Sequence, residues 1–455
     1  MMWFTVDPSS PDQAEIDRIY DMTLRDDTIW VAVGKGVAIL VFLLVSVLFA
    51  VWFERRVIAR LQERRGPNVH GPFGLMQSLG DALKLLFKED LNVRAADKLL
   101  FIAAPVISVV SAFLVFAVVP FGPAARIPFT DEMTPLQLTD FPVAMLYVLA
   151  CAALGVYGIV LGGWASGSTY PLMGSIRSTA QVISYELAMA LSLVTVFMMA
   201  QSMSMGDIVE SQEHLWWALP LLPAFVLYVI AMIGETNRLP FDLPEAEGEL
   251  VAGYFTEYSS MKFAWFFLAE YINMINVSAI ATTLFLGGWR APWPLSTVGD
   301  GMLNMGWWPV LWFVGKIWLL MFFFVWVRGS LLRFRYDQFM RLGWKILIPA
   351  GLAWTFLWGT GRVVFQNYPM PNIRELAIPA AVVMVAAMVV ILLWPGKDKN
   401  AAERQKGDRV IDPMADGFPV PPKPGEKLPP SPRSGRTVAA AKRDGPAEGG
   451  RRGKA

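Results

Sequence analysis

The sequence predicts an all-α integral membrane protein of about nine transmembrane helices with one amphipathic helix at the membrane interface. Three observations carry this. The 455 residues are 55% apolar and only 17% charged, against roughly 25% charge in a typical soluble domain. Apolar runs near 20 residues, the length that crosses about 30 Å of hydrocarbon, recur along the chain. These runs are apolar on every side and lack the polar stripe of a helix buried in a soluble protein.

The elements follow in order. Residues 1–28 hold seven acids and two arginines. That is the wrong leader for a signal peptide, so the run after them is expected to remain as a span and 1–28 to form an extracytoplasmic segment. The spans read as 29–53, 99–119, 141–161, 182–200, 216–234, 263–286, 307–327, 343–361 and 376–394. Between the first two lies Glu54-Arg55-Arg56, then Gln62-Glu63-Arg64-Arg65-Gly66-Pro67-Asn68. Segment 73–89 is different. Leu75, Met76, Leu79, Leu83 and Leu86 share one helical face, and Asp81, Lys84 and Lys88 share another. It is too short and too charged to span, so it is expected to lie in the cytoplasmic interface. From 395 to 455 the chain is basic and rich in Pro and Gly, the composition of a disordered tail.

Loop lysines and arginines set the orientation. Loop 54–98 holds nine of them and 328–342 holds four, and with nine spans both share a side with the basic tail; the opposite loops total six. The N-terminus is therefore expected outside and the tail in the cytoplasm. A net charge of +1 gives no case for nucleic acid. Cys151 is the only cysteine and His70 and His214 the only histidines. An iron–sulfur cluster takes about four thiolates, so neither a cluster nor a bis-histidine haem is expected within this chain. Neither a dinucleotide fingerprint nor a phosphate-binding loop is present.

Ionisable groups inside a span cost roughly 2.5–3.5 kcal/mol at its centre, and they are where function is sought. Lys35 lies near an end of its span and can snorkel. Lys316 lies near the middle of 307–327, Glu186 near the cytoplasmic start of its span, and Glu270 seven residues into 263–286. A structural Glu270–Lys316 ion pair is the plain alternative to a functional role. Loop 235–262 is the richest stretch: Glu235, Asp242, Glu245, Glu247, Glu249 and Glu257, with Glu270 beyond, face only Arg238 and Lys262. Asp242 as an N-cap with Glu245 three positions on would make a capping box. A cap needs one or two carboxylates, however, and Glu245 and Glu249 sit at i, i+4, where like charges repel. Crowded carboxylates have raised, coupled pKa values and can pass protons near neutral pH.

Taken together these stretches resemble the H subunit of respiratory NADH:quinone oxidoreductase, the membrane "heel" subunit of bacterial complex I. The resemblance runs from about Ile29 to Trp394 and rests on ordered motifs. They are Glu54-Arg55-Arg56, Arg65-Gly66-Pro67-Asn68, Gly71-Pro72-Phe73-Gly74-Leu75, Asp81-Ala82-Leu83-Lys84-Leu85 with Lys88-Glu89, Ser184-Tyr185-Glu186, Glu235-Thr236-Asn237-Arg238, Pro240-Phe241-Asp242-Leu243, Glu245-Ala246-Glu247, Glu257-Tyr258-Ser259, Glu270-Tyr271 and Arg335-Tyr336-Asp337-Gln338. Leu332 stands where the family usually has proline, and the tail lies outside the family core. The resemblance implies a quinone substrate, with flavin and iron–sulfur clusters on other subunits and none here. It implies contact with the peripheral arm, the neighbouring membrane-arm subunits and lipid. Arg55, Arg64, Asp81, Arg238, Phe241 and Asp242 match stretches that line or support the quinone cavity. Glu186, Glu235, Glu245, Glu249 and Glu270 match the buried carboxylate path to proton pumping. The rivals are a stand-alone secondary transporter, which is expected to repeat broken helices, a membrane lipid transferase, which is expected to carry a metal-binding acid cluster, and the equivalent subunit of a membrane-bound hydrogenase.

Overall fold

A computed structural model describes residues 27–91, 93–127, 133–213, 215–242, 250–292, 295 and 302–367, all within one compact unit, Met1–Ala386. The long helices are α1 (Ile29–Leu61), α3 (Lys98–Val115), α4 (Ala144–Ala165), α5 (Thr169–Ala200), α8 (Ser260–Phe285) and α9 (Trp308–Ser330). Six helices among the described residues are long and apolar enough to cross a membrane, α3 being counted with a 3₁₀ turn that carries it to Val118. Shorter helices are α2 (Met76–Phe87), α6 (Met205–Glu210), α7 (Leu222–Glu235) and α10 (Tyr336–Leu342); α11 (Ile348–Asn367) follows a π-helical turn, Gly343–Leu347. The architecture is that of an all-α integral membrane protein. One antiparallel hairpin, β1 (Gly122–Arg126) with β2 (Met133–Leu136), lies in the loop between α3 and α4.

Six of the nine expected spans are thus long apolar helices. The fifth is the 14-residue α7, about 21 Å at 1.5 Å per residue, with Pro223 in its first turn, where a missing N–H does no harm. The eighth corresponds to the π turn and α11. The ninth, 376–394, lies outside the described residues, as do 1–26, residues 243–249 of the acidic loop, and the tail. Two helices overrun the apolar runs that revealed them. Hydropathy reports membrane thickness, whereas a helix continues until its hydrogen-bond ladder is interrupted. Hence α1 goes on through Glu54 and Arg55 to Leu61, and α5 begins at Thr169, well before Val182.

Close helix approach sets the core. On α4, Gly158 faces α3 so tightly that a Cβ there would overlap Ser108 Oγ and lie 2.8 Å from the Ala104 carbonyl. Small residues drive such packing in membranes, where burial from water gives no help. Asn276 of α8 donates to the Ala112 carbonyl of α3 at 2.9 Å, and Tyr228 of α7 to the Val277 carbonyl of α8 at 3.0 Å. Phe101 stacks on Tyr258 at 4.0 Å between centroids. The chain enters α2 through a tight turn in which Gly74, at φ +79°, packs on Pro67; a Cβ would meet the Pro67 carbonyl oxygen at 2.5 Å.

Candidate functional site

Because α1 stays helical past its apolar stretch, Glu54 and Arg55 are held at a fixed level against α8 and α9. Glu54 is 5% exposed. It accepts a hydrogen bond from Tyr271 Oη at 2.5 Å and another from Arg328, with Arg238 Nη1 at 3.8 Å. Arg238, also buried, places Nε 2.8 Å from Glu270 Oε1 and its guanidinium 4.3 Å over the Tyr271 ring. Two carboxylates and two guanidinium groups make a neutral set, Glu54 and Arg238 buried and Glu270 and Arg328 partly so, and charges out of water persist only when paired in this way.

Glu54, Arg238 and Arg328 of this set, with Tyr271, floor an open cleft of about 360 Å³ that Arg55 and Arg64 also line. Ile58, Ala59 and Phe267 supply its apolar wall. Four guanidinium groups present hydrogen-bond donors, so the cleft suits a ligand with carbonyl or anionic oxygens on an apolar body. Arg55 Nη1 lies 2.5 Å from Asp81 Oδ2 of α2, and Gln77 Nε2 donates to Asp81 at 3.2 Å. The interfacial helix is thereby tied to the cleft's rim. Arg56 donates to the Phe73 carbonyl at 2.7 Å and reinforces that tie.

The stretch after α7 is pinned from several sides. Gln181 Nε2 of α5 donates to the carbonyls of Gly234 at 2.7 Å and Phe241 at 2.8 Å. Asn237 Nδ2 donates to Ser178 Oγ at 3.2 Å, and Arg333 donates to the Asp242 carbonyl. The Phe241 ring packs against Phe339 at 4.6 Å and Tyr185 at 5.8 Å, with a cis Leu239–Pro240 bond just before it. Arg238 is presented to Glu54 and Glu270 from this anchored loop.

Behind the cleft lies a second, partly open cavity between α3, α4, α5, α7 and α8, with about 70 Å³ of internal space and a mostly apolar wall. Glu235 and Glu270 both line it, with Ser108, Asn237, Asn273 and Asn276. Ser108 Oγ, Glu235 Oε2, Asn237 Oδ1 and Asn276 Oδ1 are buried without a protein partner. A buried polar atom without a partner is satisfied by water. A water needs about 10–15 Å³ and two to four polar neighbours, so this cavity fits a short water chain. Glu186, partly buried on α5, does not line it but interacts electrostatically with Glu235.

The structure therefore gathers Arg55, Arg64 and Arg238 at the cleft, with Asp81 as the partner of Arg55 and with Phe241 and Asp242 in the scaffold that holds Arg238. Glu235 and Glu270 share the inner cavity. Glu245, Glu247 and Glu249 lie outside the described residues, so the capping alternative at Asp242 and Glu245 does too. The expected alternative of a Glu270–Lys316 pair is replaced. Glu270 pairs with Arg238, while Lys316 Nζ donates to the carbonyls of Leu286 (2.6 Å), Gly288 (2.9 Å) and Arg290 (2.7 Å) under the Trp216 ring. Lys316 thus caps the carbonyl end of α8. At the same end of α1, Lys35 pairs with Asp27. Sequence reasoning passed over Glu54, Tyr271 and Arg328 as site residues, and also Asn273 and Asn276. The signal was there: Asn273 and Asn276 follow Glu270 at i+3 and i+6, one polar line in an apolar span. Among the described residues no group of three or more His, Cys, Asp or Glu side chains is placed to hold a metal ion.

Comparison with known proteins places the chain in a family. A family model described as NADH dehydrogenase matches residues 34–359. The H subunit of the NADH-quinone oxidoreductase of Streptomyces avermitilis is 52% identical over 409 residues, covering 90% of each chain. That of Frankia alni is 56% identical over 384 residues, covering 84% of each.

Proposed function

The chain belongs to the H-subunit family of NADH-quinone oxidoreductase, and we propose on that premise that its cleft forms one wall of the quinone cavity and that Glu270 couples quinone reduction to proton translocation. It is a membrane subunit of an oxidoreductase complex, and the other subunits of that complex are its partners. In the proposed arrangement the cleft opens toward a peripheral arm whose iron–sulfur clusters deliver electrons, and neighbouring membrane-arm subunits and lipid flank the bundle.

The observation that supports this best is the position of one ion pair. Arg238 lines the cleft, and its partner Glu270 lines the inner cavity with Glu235. Reduction of a quinone to the quinol takes two electrons and two protons. Negative charge growing on the quinone oxygens attracts the guanidinium groups of Arg55, Arg64 and Arg238, as preorganised donors do wherever charge develops. Arg238 drawn toward the cleft loosens its hold on Glu270. Glu270 then accepts a proton through the water-sized space it shares with Glu235, and gives it up when the arginine returns. Glu186 extends this path along α5, and Glu245 and Glu249 of the loop are its proposed cytoplasmic intake.

The test uses the assembled complex in proteoliposomes. Glu270→Gln keeps the size and removes the titrating charge, and because it leaves Arg238 only Glu54 as a counter-charge, pumping is read per assembled complex. Quinone-dependent proton translocation is expected to fall on the order of a hundredfold, the lower end of what a positioned proton-transfer group contributes. NADH oxidation by an artificial acceptor is expected to persist. Glu245→Gln separates conduction from capping, because glutamine also serves in capping boxes. Near-normal pumping in both variants would remove the proton-path reading.

A further inference from the structure

Helix α2 carries three distinct faces. Its protein face is a narrow seam: Ser78 is buried, and Ser260 Oγ of α8 donates to the carbonyls of Leu85 at 3.1 Å and Lys88 at 2.8 Å. Next round the helix, at about 100° per residue, come Leu75, Leu86, Leu79, Leu83, Met76 and Phe87 within one arc. All six are between 41% and 82% exposed. An arc of that size is too large to leave facing water. Beyond it stand Lys84 and Lys88, both exposed. Asp81, the one acid in the helix, is already taken by Arg55, and Asp90 just beyond is taken by Lys262. Two lysines thus border a bare apolar face, with the exposed Glu89 beside Lys88 as the one remaining acid at this end of the helix, so the edge keeps a net positive charge.

We propose that this face of α2 is a seat for an anionic phospholipid, with the acyl chains against the leucine arc and the phosphate held between Lys84 and Lys88. The order of the faces argues for an amphiphile. A free phosphate makes no use of the apolar arc, and the cores of protein–protein interfaces are depleted in lysine. Lysines that border an apolar helix face extend their stems along it and keep the ammonium at headgroup level. Cations near an anionic surface contribute about 1 kcal/mol each, roughly fivefold in partition. Since Asp81 of the same helix holds Arg55 at the cleft, the lipid seat adjoins the rim of that cleft. The seat does not depend on the quinone chemistry proposed above, and its test reads lipid contact instead of turnover.

The test uses the whole complex in nanodiscs of equal phosphatidylglycerol and phosphatidylcholine, each labelled in turn. Leu83 is replaced by a photo-reactive residue, Leu83→benzoylphenylalanine, in the native background, in Lys84→Gln/Lys88→Gln and in Lys84→Arg/Lys88→Arg. A severalfold excess of phosphatidylglycerol adducts is expected in the native background, falling toward parity in the glutamine pair and returning in the arginine pair. Equal labelling by both lipids in the native background would overturn the headgroup claim, as would a preference that survives the glutamine pair. Adducts to another polypeptide of the complex would show that a protein covers this face and would overturn the lipid seat itself.

Discussion

Glu54 and Asp81 are both carboxylates bound to arginines, yet they are expected to respond differently to substitution. Glu54 is buried, and three side chains converge on it. Removing one partner from a buried ionic set typically costs about 3–5 kcal/mol, because the remaining charge is left uncompensated. Glu54→Gln is therefore expected to lower the melting temperature of the complex and reduce assembly. The Arg55–Asp81 pair has side chains 49% and 35% exposed, and solvent screening holds such a pair to about 0–1 kcal/mol. Arg55→Gln or Asp81→Asn is accordingly expected to leave assembly intact. Either variant is nevertheless expected to depress quinone reduction and to spare NADH oxidation by an artificial acceptor. Parallel loss of both activities in an assembled complex would leave a quinone-specific role for this pair unsupported.

At the scale of elements, the α3–α4 contact both packs the bundle and shapes the inner cavity. Ser108 lines that cavity from α3, and Gly158 of α4 lies directly against it. Gly158→Ala drives a methyl group into Ser108 Oγ and to within 2.8 Å of a backbone carbonyl, and the backbone cannot yield as a flexible side chain can. Overpacking of this kind typically costs about 1–3 kcal/mol. The expected result is a destabilised complex in which the polar space between Glu235 and Glu270 is distorted, so pumping falls further than quinone reduction. A variant with native stability and native proton-to-electron coupling would show that the contact tolerates spreading. The helices themselves were readable from hydropathy because a span is a long, redundant signal. Their ends were not, since Glu54 and Arg55 are charged without interrupting the ladder of α1. The 14-residue α7 was read as a full span because Trp216, Trp217 and Leu219 before it are as apolar as the helix, although they form turns.

For the whole molecule, the site was legible as residue types and not as partners. Glu270 and Arg238 stood out because charge in or beside a span is costly. That they pair with each other, and that Lys316 instead binds carbonyls, depends on which helices touch, and a single sequence carries little of that. Glu54 and Arg328 are 274 positions apart; each reads alone as a membrane-end charge. Orientation is the largest feature read from charge alone, and it is testable directly. Cys151 is buried, so a cysteine introduced near residue 455 is the accessible thiol of this chain. In intact cells an impermeant reagent is expected to miss it and to reach a cysteine introduced near residue 5. Labelling of the tail in intact cells would reverse the assignment.

Lys316 in its ring of three carbonyls is a cation covalently tethered to its site. Dissolved ions cannot compete it away, because its effective concentration at the site never changes. The Arg55–Asp81 pair at the opposite end of α1 from Lys35 is half in solvent and has no such immunity, since the screening length shrinks from about 30 Å at 0.01 M salt to about 3 Å at 1 M. The two ends of the bundle should therefore answer differently to ionic strength. Raising salt is expected to change the apparent KM for quinone while hydrogen exchange at Gly288, whose carbonyl Lys316 holds, stays flat, so that the cleft rim feels the composition of its aqueous compartment and the lysine-held turn does not.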